Sequence, residues 1–551
     1  MHILIKLKIP TLAAISKNCI NWTFVFHFYP QQSSPSSFPL TRFHTTMSST
    51  KQEGEVVTSV LSSEQAAELY DVKSRDLAME KADEAAQLEV DPSSNRRLVW
   101  KIDLILLTVI SLVSAFQYMD KSSSNYASVM GIKTDLKMVG NQYSWVGTSF
   151  YLGFLVFEAP CSWTLQRLPL SKITSAYIIA WGLLLCLTSL VKSYPTFILT
   201  RTLLGVLESS ITPAMVLFMS QWYKKDEQFF RTSILIACNA VGGLVGASVS
   251  YRLYERQLAG TLSMDAWRIL FIIVGLITIV TGLMVLFIIP DTPSQAWWLN
   301  KTEKLLAIQR IRSNKQGFGN RHFKKEQVYE ALVDPRLYLY FFLQVAVAIP
   351  NGGFSNFSAL MIAGLGYGKG KALLMGMPTS AVSIIGMILF GYLSTIRNRR
   401  LDIAFAGLAL NLISGCLMAF AKPLHAQLAG YYIFGISPIP YTCILSMVAS
   451  NSAGHSKKVF MGAISMIGYC TGNLIGPQTF RESQAPHYQG AKTAIVACYC
   501  IAFLILAAIY IVNVRENKRR DALDERLPAD MLNSEFADLT DFQNPEFRYA
   551  I

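Results

Sequence analysis

Two charged residues, Arg201 and Glu208, stand in an otherwise apolar stretch of this 551-residue chain. The segment reads RTLLGVLES and is flanked by YPTFIL and SITPAMVLFM. Seven residues are close to two helical turns, so on a helix both side chains share one face, about 10 Å apart. A charge kept in so apolar a setting must face a partner or a wet cavity. The pair therefore predicts a binding or proton-transfer site inside a helix bundle.

The end of the first long apolar run carries a second polar group, made of Tyr118, Asp120 and Lys121. If the helix continues past Asp120, this acid and base line the same cavity as Arg201 and Glu208. A structural pair that only fixes helix packing is the alternative for Arg201 and Glu208. Against it, seven residues are too many for a direct bridge on one helix.

Amide side chains in other apolar runs are further candidates for solute contact. An amide can orient a solute, and it can equally hydrogen-bond one membrane helix to another. The candidates are Asn239, Gln344, Asn351 and Asn473. Both interpretations stay open for them.

The elements that position these residues are predicted to be membrane helices, because 52% of the chain is hydrophobic and only 15% is charged. A helix needs roughly 20 apolar residues to cross the hydrocarbon core. Twelve such runs occur, at 102–119, 142–164, 173–191, 196–217, 232–251, 268–289, 338–360, 372–395, 401–420, 429–450, 459–478 and 493–514. We predict an all-α membrane protein with 12 transmembrane helices in two six-helix bundles.

The charged stretch between the two sets of runs divides the chain into regions. The prediction is an N-terminal tail at 1–95, a six-helix bundle at 96–290, a central loop at 291–336, a second bundle at 337–515 and an acidic tail at 516–551. Lys and Arg concentrate in the central loop and beside both tails, so these parts are predicted to be cytoplasmic. The net charge of +13 is then explained by topology and attraction to anionic lipid, and no nucleic-acid-binding motif accompanies it.

Residues 1–52 contain no Asp or Glu, and an acidic, helix-prone segment begins at Glu53. The first part has the composition of a transit or signal segment. The alternative, which we favour, is that Met47 is the true start of the protein. Residues 1–95 are expected to be disordered, and the acidic tail after Arg520 is expected to be solvated.

Metal and cofactor chemistry is not predicted. The nine cysteines form no CxxC pair, and none of the seven histidines lies well inside a predicted span. A membrane enzyme would also need a clustered nucleophile or a cofactor loop, and neither is visible.

Glycines recur every fourth residue in two of the spans. The fifth span contains Gly242 and Gly246, and the eleventh contains Gly468, Gly472 and Gly476. Such a face allows close helix packing. Short basic hairpins, LQRLPLSK and LSTIRNRR, follow the second and eighth spans, which indicates an internal repeat. The alternative is that glycine is common in membrane helices and that basic loops follow from topology.

Several longer motifs resemble the major facilitator superfamily, specifically the allantoate permease-like proteins of its anion:cation symporter group. The resemblance covers about residues 96–520. It rests on YMDKSSSNYASVMGIKTDL, NQYSWVGTSFYLGFLVFEAP, LQRLPLSK, RTLLGVLESSITPAMVLFMSQWY, IPDTP, NSAGHSKK, GNLIGPQTF and APHYQGAK. It implies the major facilitator fold, with a central cavity and alternating access. Spans 2, 5, 8 and 11 would line the interface between the halves, where the glycines would let helices slide.

The resemblance also implies roles for the charged residues. Related symporters have an acid and a base at the end of the first span and an Arg with a Glu seven residues later in the fourth, as at Asp120, Lys121, Arg201 and Glu208. Many bacterial relatives have Arg where this chain has Lys121, so a planar fork is replaced by a point charge. Lys121 and Arg201 would hold the carboxylate of an anion, with Tyr118 beside them. Glu208 would exchange the coupled proton, and Asp120 would pair with a base in the empty carrier.

Glu158 and Arg167, in and after LVFEAP, are predicted to belong to a cytoplasmic gate rather than to the binding site. The predicted function is proton-coupled import of a small organic anion, such as allantoate, ureidosuccinate or another carboxylate, a vitamin or a dipeptide. The alternative is an exporter or antiporter of a carboxylate or secondary metabolite, although the fifth span lacks the Gly-Pro pair of many drug antiporters. A transport-inactive receptor is a third alternative, but the tails are short. The protein is expected to work as a monomer in the plasma membrane.

Overall fold

The computed structural model describes residues 92–312, 324–397, 399–523 and 539–550. Within these ranges the chain forms helices and no strands. The helices are α1 (Pro92–Ile102), α2 (Thr108–Met130), α3 (Ile132–Asp135), α4 (Gln142–Arg167), α5 (Leu170–Thr188), α6 (Tyr194–Glu208), α7 (Ile211–Trp222), α8 (Lys225–Leu258), α9 (Ala266–Ile288), α10 (Lys301–Arg312), α11 (Lys325–Val333), α12 (Pro335–Gly364), α13 (Lys369–Met375), α14 (Met377–Arg397), α15 (Arg400–Phe420), α16 (Leu424–Ile433), α17 (Pro438–Ser450), α18 (His455–Gln478) and α19 (Gln489–Leu523).

In the described residues, eleven helices or continuous helix pairs are long and apolar enough to cross a membrane. The predicted span 142–164 is helical, within α4, but α4 is not among the eleven. Its first turns, QYSWVGTS, are rich in polar side chains, which lowers the mean hydropathy. The all-α membrane architecture is therefore confirmed, whereas a count of twelve spans is not.

The predicted N-terminal tail, 1–95, lies outside the described residues except at its end. Residues from Pro92 onwards belong to α1, so the expectation of disorder is wrong for 92–95. A single π-helical turn, Asp103–Leu107, joins α1 to α2. The helix then runs on past Asp120 to Met130, as the proposed cavity requires. The division of the chain into the regions predicted above stays a prediction.

Each half of the chain packs around its own helix pairs. In the first half α2 packs on α8, α5 on α9 and α4 on α6, and in the second half α12 packs on α18 and α15 on α19. The halves meet where α4 contacts α18, α8 contacts α14 and α2 contacts α12. Spans 2, 5, 8 and 11 therefore contribute to the contact between the halves.

The glycine faces do not lie at that contact. A Cβ on Gly242 would approach the Ala115 carbonyl oxygen of α2 to 1.8 Å, and one on Gly246 would approach Met119 to 3.1 Å. In the second half the glycines of α18 face α12: Gly468 faces Phe341, Gly472 faces Ala348 and Gly476 faces Ile349. In this structure these glycines face a helix of their own half, and their role in helix sliding stays a prediction. The small residues instead let two helices within each half approach closely.

One side of the structure holds the start of α1 and the end of α19, and we call it the termini side; the opposite side is the far side. On the far side, hydrogen bonds join the halves. The Ser144 hydroxyl donates to the Phe480 carbonyl oxygen over 2.9 Å, and the Gln478 amide donates to the Thr148 hydroxyl over 2.8 Å. The Lys133 ammonium lies 3.2 Å from a Glu482 carboxylate oxygen.

The C-terminal segment 539–550 packs against the termini side of the second half. Asp541 and Lys457 are fully buried, and their charged atoms lie 2.8 Å apart. The hydroxyl of buried Tyr549 donates to Asp541 over 2.7 Å, and the guanidinium of Arg336 lies 3.6 Å from the centre of the Tyr549 ring. The expectation of a solvated tail is therefore wrong for these residues, because their acid and ring meet buried cations.

Candidate functional site

A cavity of about 160 Å³ lies between the two halves. The first half supplies Tyr118 and Lys121 from α2 and Asn239 from α8. The second half supplies most of the remaining polar wall, and these residues are Asn351, Ser355, Thr379, Ser380, Ser383, Ser437, Tyr441 and Tyr469. Because both halves contribute, a solute bound here would contact both moving parts of the molecule.

Aromatic rings form one wall of the cavity. Phe354 and Phe434 stack with their centroids 3.9 Å apart and their planes 17° apart. Tyr441 and Tyr469 lie 4.7 Å apart at 40°. Flat aromatic faces with adjacent hydroxyl groups suit a small planar solute that also forms hydrogen bonds.

Lys121 is the cation among the residues lining this cavity. Its ammonium lies 4.7 Å from the centre of the Tyr151 ring. No carboxylate within the described ranges forms an ion pair with it, so its charge remains available for an anionic solute. A hydrogen bond between this ammonium and an anionic group would be charge-assisted and therefore strong.

Three buried charged side chains lie behind the cavity wall. Asp120 is 0%, Glu208 1% and Arg201 2% exposed. The Arg201 Nη1 atom lies 3.5 Å from Asp120 Oδ1, while the indole N–H of Trp181 donates to Asp120 Oδ2 over 2.8 Å. In the part of the chain that the structure describes, Glu208 Oε1 has no hydrogen-bond partner.

The charges of this triad do not balance when both acids are ionised. Two carboxylates and one guanidinium leave one net negative charge, which the Lys121 ammonium on the cavity wall offsets only while Lys121 binds no anion. Burial of an unpaired charge costs free energy, and one bound proton removes that charge. The arrangement can therefore hold a proton next to the solute cavity.

The predicted binding residues divide into two groups. Tyr118, Lys121, Asn239 and Asn351 line the cavity. Arg201 does not line it and pairs with Asp120 instead.

The other two amides connect helices. The amide of buried Gln344 donates to Ser465 over 3.3 Å, which joins α12 to α18. Asn473 accepts a hydrogen bond from Asn351 over 2.9 Å. Asn473 is therefore one step removed from the cavity, and it holds a residue that lines it.

The predicted gate residues lie apart from the triad. Glu158 is half-buried on α4, and the thiol of Cys470 on α18 donates to its carboxylate over 3.9 Å. This contact crosses from one half to the other. Arg167 is exposed at the end of α4, where its guanidinium lies 4.7 Å from the centre of the Trp163 ring. Their role in gating stays a prediction.

Sequence reasoning missed Trp181 and the aromatic wall of the cavity. Aromatic residues are common in membrane helices, and their type and spacing do not show which of them face a cavity. In the described residues, no group of three or more His, Cys, Asp or Glu side chains could hold a metal ion.

Comparison with known proteins places the chain in context. The profile of the Major Facilitator Superfamily matches residues 110–477. An uncharacterized transporter of Schizosaccharomyces pombe is 62% identical, with 84% of this chain and 93% of that protein covered. The allantoate permease of Saccharomyces cerevisiae is 43% identical over 86% of this chain and 90% of its own length. A thiamine pathway transporter of the same yeast is 30% identical, with 82% and 86% covered.

Two solved structures share the fold. Both are of a bacterial homologue of the human lysosomal transporter Spinster, in inward-facing occupied and inward-facing unoccupied conformations. Their TM-scores are 0.53 and 0.55 at 16% and 17% sequence identity. The matches cover 74% and 77% of this chain and 96% and 97% of those chains.

Proposed function

Because this chain belongs to the major facilitator superfamily, in its allantoate permease-like family, we propose that it imports a small organic anion together with protons by alternating access. The chain is a multi-pass membrane transporter and not an enzyme. The proposal adds the solute class, the coupled ion and the direction. We further propose that it acts as a monomer in the plasma membrane with both termini in the cytoplasm.

The observation that carries the proposal is the cavity cation Lys121, which has no ion-pair partner in the described ranges and lies next to Asp120, the acid paired with Arg201. An anionic solute that binds Lys121 adds a negative charge beside the buried triad. A proton on Glu208 offsets that charge, so anion and proton favour each other's binding. A loaded cavity without net charge can then cross the low-dielectric interior as the halves rock.

Contacts between the halves close the far side of the molecule. Ser144 with Phe480, Thr148 with Gln478 and Lys133 with Glu482 hold the far side together. Access from the far side requires these contacts to break. Because the far side is proposed to face the cell exterior, entry of external solute would require these contacts to break.

The experiment is uptake of labelled allantoate and a small panel of carboxylates into cells that lack their own permeases. Uptake by the wild type is expected to be stronger at acidic than at neutral external pH. Glu208→Gln is expected to lose this acid-driven accumulation and to keep exchange of external for internal solute, because the amide mimics the protonated acid. Glu255→Gln, at an exposed glutamate near the far-side end of α8, is the matched control.

Two results would contradict the proposal. If no carboxylate accumulates, the solute class is wrong. If Glu208→Gln and the wild type respond equally to pH while both reach the surface, this glutamate does not couple the proton. Acid-driven efflux from preloaded cells would favour the exporter or antiporter instead.

A further inference from the structure

We propose that Trp181 is a positioning residue that holds Asp120 in its ionised form and so leaves Glu208 as the carboxyl that carries the transported proton. This inference rests on the proposed function and assigns different roles to the two buried acids. It also gives a role to a side chain of α5 that lines no part of the cavity.

The contact between Trp181 and Asp120 is direct, and both residues are buried. The indole N–H donates to Asp120 Oδ2 over 2.8 Å, and the two residues are 1% and 0% exposed. An N–H donor stabilises a carboxylate more than a carboxylic acid, because the ionised oxygen is the stronger acceptor. An indole has no acceptor to offer a protonated acid in return.

The two acids are unequally supported. Asp120 has the indole on one oxygen and the Arg201 guanidinium 3.5 Å from the other. Asp120 Oδ1 and Glu208 Oε1 are each without a hydrogen-bond partner in the described part of the chain, so what distinguishes Asp120 is the indole hydrogen bond and the ion pair with Arg201. One proton on the triad relieves more of the cost of a buried charge at the carboxylate that has fewer favourable contacts. That carboxylate is Glu208.

The other ionisable groups around the triad do not reverse this order. Asp120 and Lys121 act on Glu208 from α2, Arg201 acts on it from its own helix, and Tyr151 faces it from α4. Arg201 also forms an ion pair with Asp120. α9 also packs on α2, and its charged residue, Arg268, pairs with Asp135 at the far side.

The first test is the thermal unfolding of the purified full chain at pH 7.5 and pH 5.0. Trp181→Phe removes the donor and keeps an aromatic ring. Its loss in unfolding temperature is expected to be roughly twice as large at pH 7.5 as at pH 5.0, because acid protonates an unsupported Asp120 and removes the buried charge.

A matched control is available in the first half. Trp267 is also 1% exposed, and its indole N–H has no hydrogen-bond partner among the described residues. Trp267→Phe is expected to lower the unfolding temperature by the same amount at both pH values. In an Asp120→Asn background, the loss in unfolding temperature caused by Trp181→Phe should likewise be equal at both pH values. A loss for Trp181→Phe that is equal at both pH values would overturn the proposal.

The second test is the pH profile of allantoate uptake. Trp181→Phe is expected to move the pH of half-maximal uptake by about one unit to less acidic values, because the triad loses a donor to its ionised form and then binds its one proton at higher pH. Trp267→Phe should keep the wild-type profile. An unchanged profile for Trp181→Phe would overturn the positioning role proposed for Trp181. If the wild type itself takes up no solute at any pH, the proposed function fails, and the unfolding comparison still decides the role of Trp181.

Discussion

At the scale of single residues, the structure places the two predicted binding cations in different surroundings. Lys121 faces the cavity, whereas Arg201 lies behind the wall and holds Asp120. The sequence expectation treated the two bases as a joint clamp on a carboxylate. In this conformation Lys121 is the one of these two bases that lines the cavity. A single point charge accepts a carboxylate from more directions than a planar fork does.

Replacement of Lys121 by Gln should weaken solute binding. We expect the KM for allantoate uptake to rise by roughly 10- to 100-fold, because a hydrogen bond to a charged group is worth about 1.5–3 kcal/mol. Lys121→Arg should recover part of the loss. The measurement is the concentration dependence of uptake, normalised to protein at the cell surface. Lys369→Gln, at an exposed lysine that begins α13, is the control, and an equal KM for both Gln variants would contradict the assignment.

At the scale of helices, the glycines determine how closely neighbours approach. α18 carries three glycines against α12, and α8 carries two against α2. Each half can therefore move as a tightly packed body. Under the proposed alternating access, the contacts that would change lie elsewhere, along α4 with α18 and α8 with α14.

Two glycines of α18 offer a test within one helix. A Cβ on Gly472 would lie 2.6 Å from the Ala348 Cβ and from the Val345 carbonyl oxygen, whereas nothing lies within 4 Å of a Cβ on Gly462. Gly472→Ala is expected to lower stability by about 1–3 kcal/mol through overpacking. Gly462→Ala should be neutral or stabilising by up to about 1 kcal/mol, because alanine favours helix. Thermal unfolding of both purified variants checks this, and equal effects would contradict the close packing of α18 on α12.

At the scale of the whole molecule, the C-terminal segment completes the second half. Lys457 at the start of α18 lies 2.8 Å from Asp541, 2.9 Å from Glu330 and 3.2 Å from Asp334. Burial, and then the nearby Asp541 carboxylate, raise the pKa of the Tyr549 hydroxyl well above its usual range. The segment thus connects α11, α18 and the chain end in one buried network.

Loss of the Asp541 charge should destabilise this network. Asp541→Asn is expected to lower stability by about 1–3 kcal/mol, because Lys457 keeps two other carboxylates and loses a buried one. Glu546→Gln, at an exposed acid of the same segment, should change little. Thermal unfolding of the full chain gives the comparison. Equal stability of Asp541→Asn and the wild type would show that the segment does not support the fold.

The sequence by itself determined the properties that depend on residue type and local order. Apolar runs of about 20 residues dictate membrane helices, because the bilayer leaves the backbone no other way to satisfy its hydrogen bonds. The charged pairs at 120–121 and at 201 and 208 stood out for the same reason, since such a setting does not retain idle charges. The motifs around them indicated the family.

Tertiary structure alone decided which way each side chain faces. Asp120 and Trp181 are 61 residues apart in sequence, and no local pattern predicts that they meet. Gln344 and Asn351 lie on the same helix, yet one bonds Ser465 and the other lines the cavity. The acidic tail was expected to be solvated because its composition is polar. The sequence does not show that Asp541 would pair with the buried Lys457. The direction of each side chain and the position of the C-terminal segment depend on how helices that are distant in sequence pack together. That packing is a property of the whole chain.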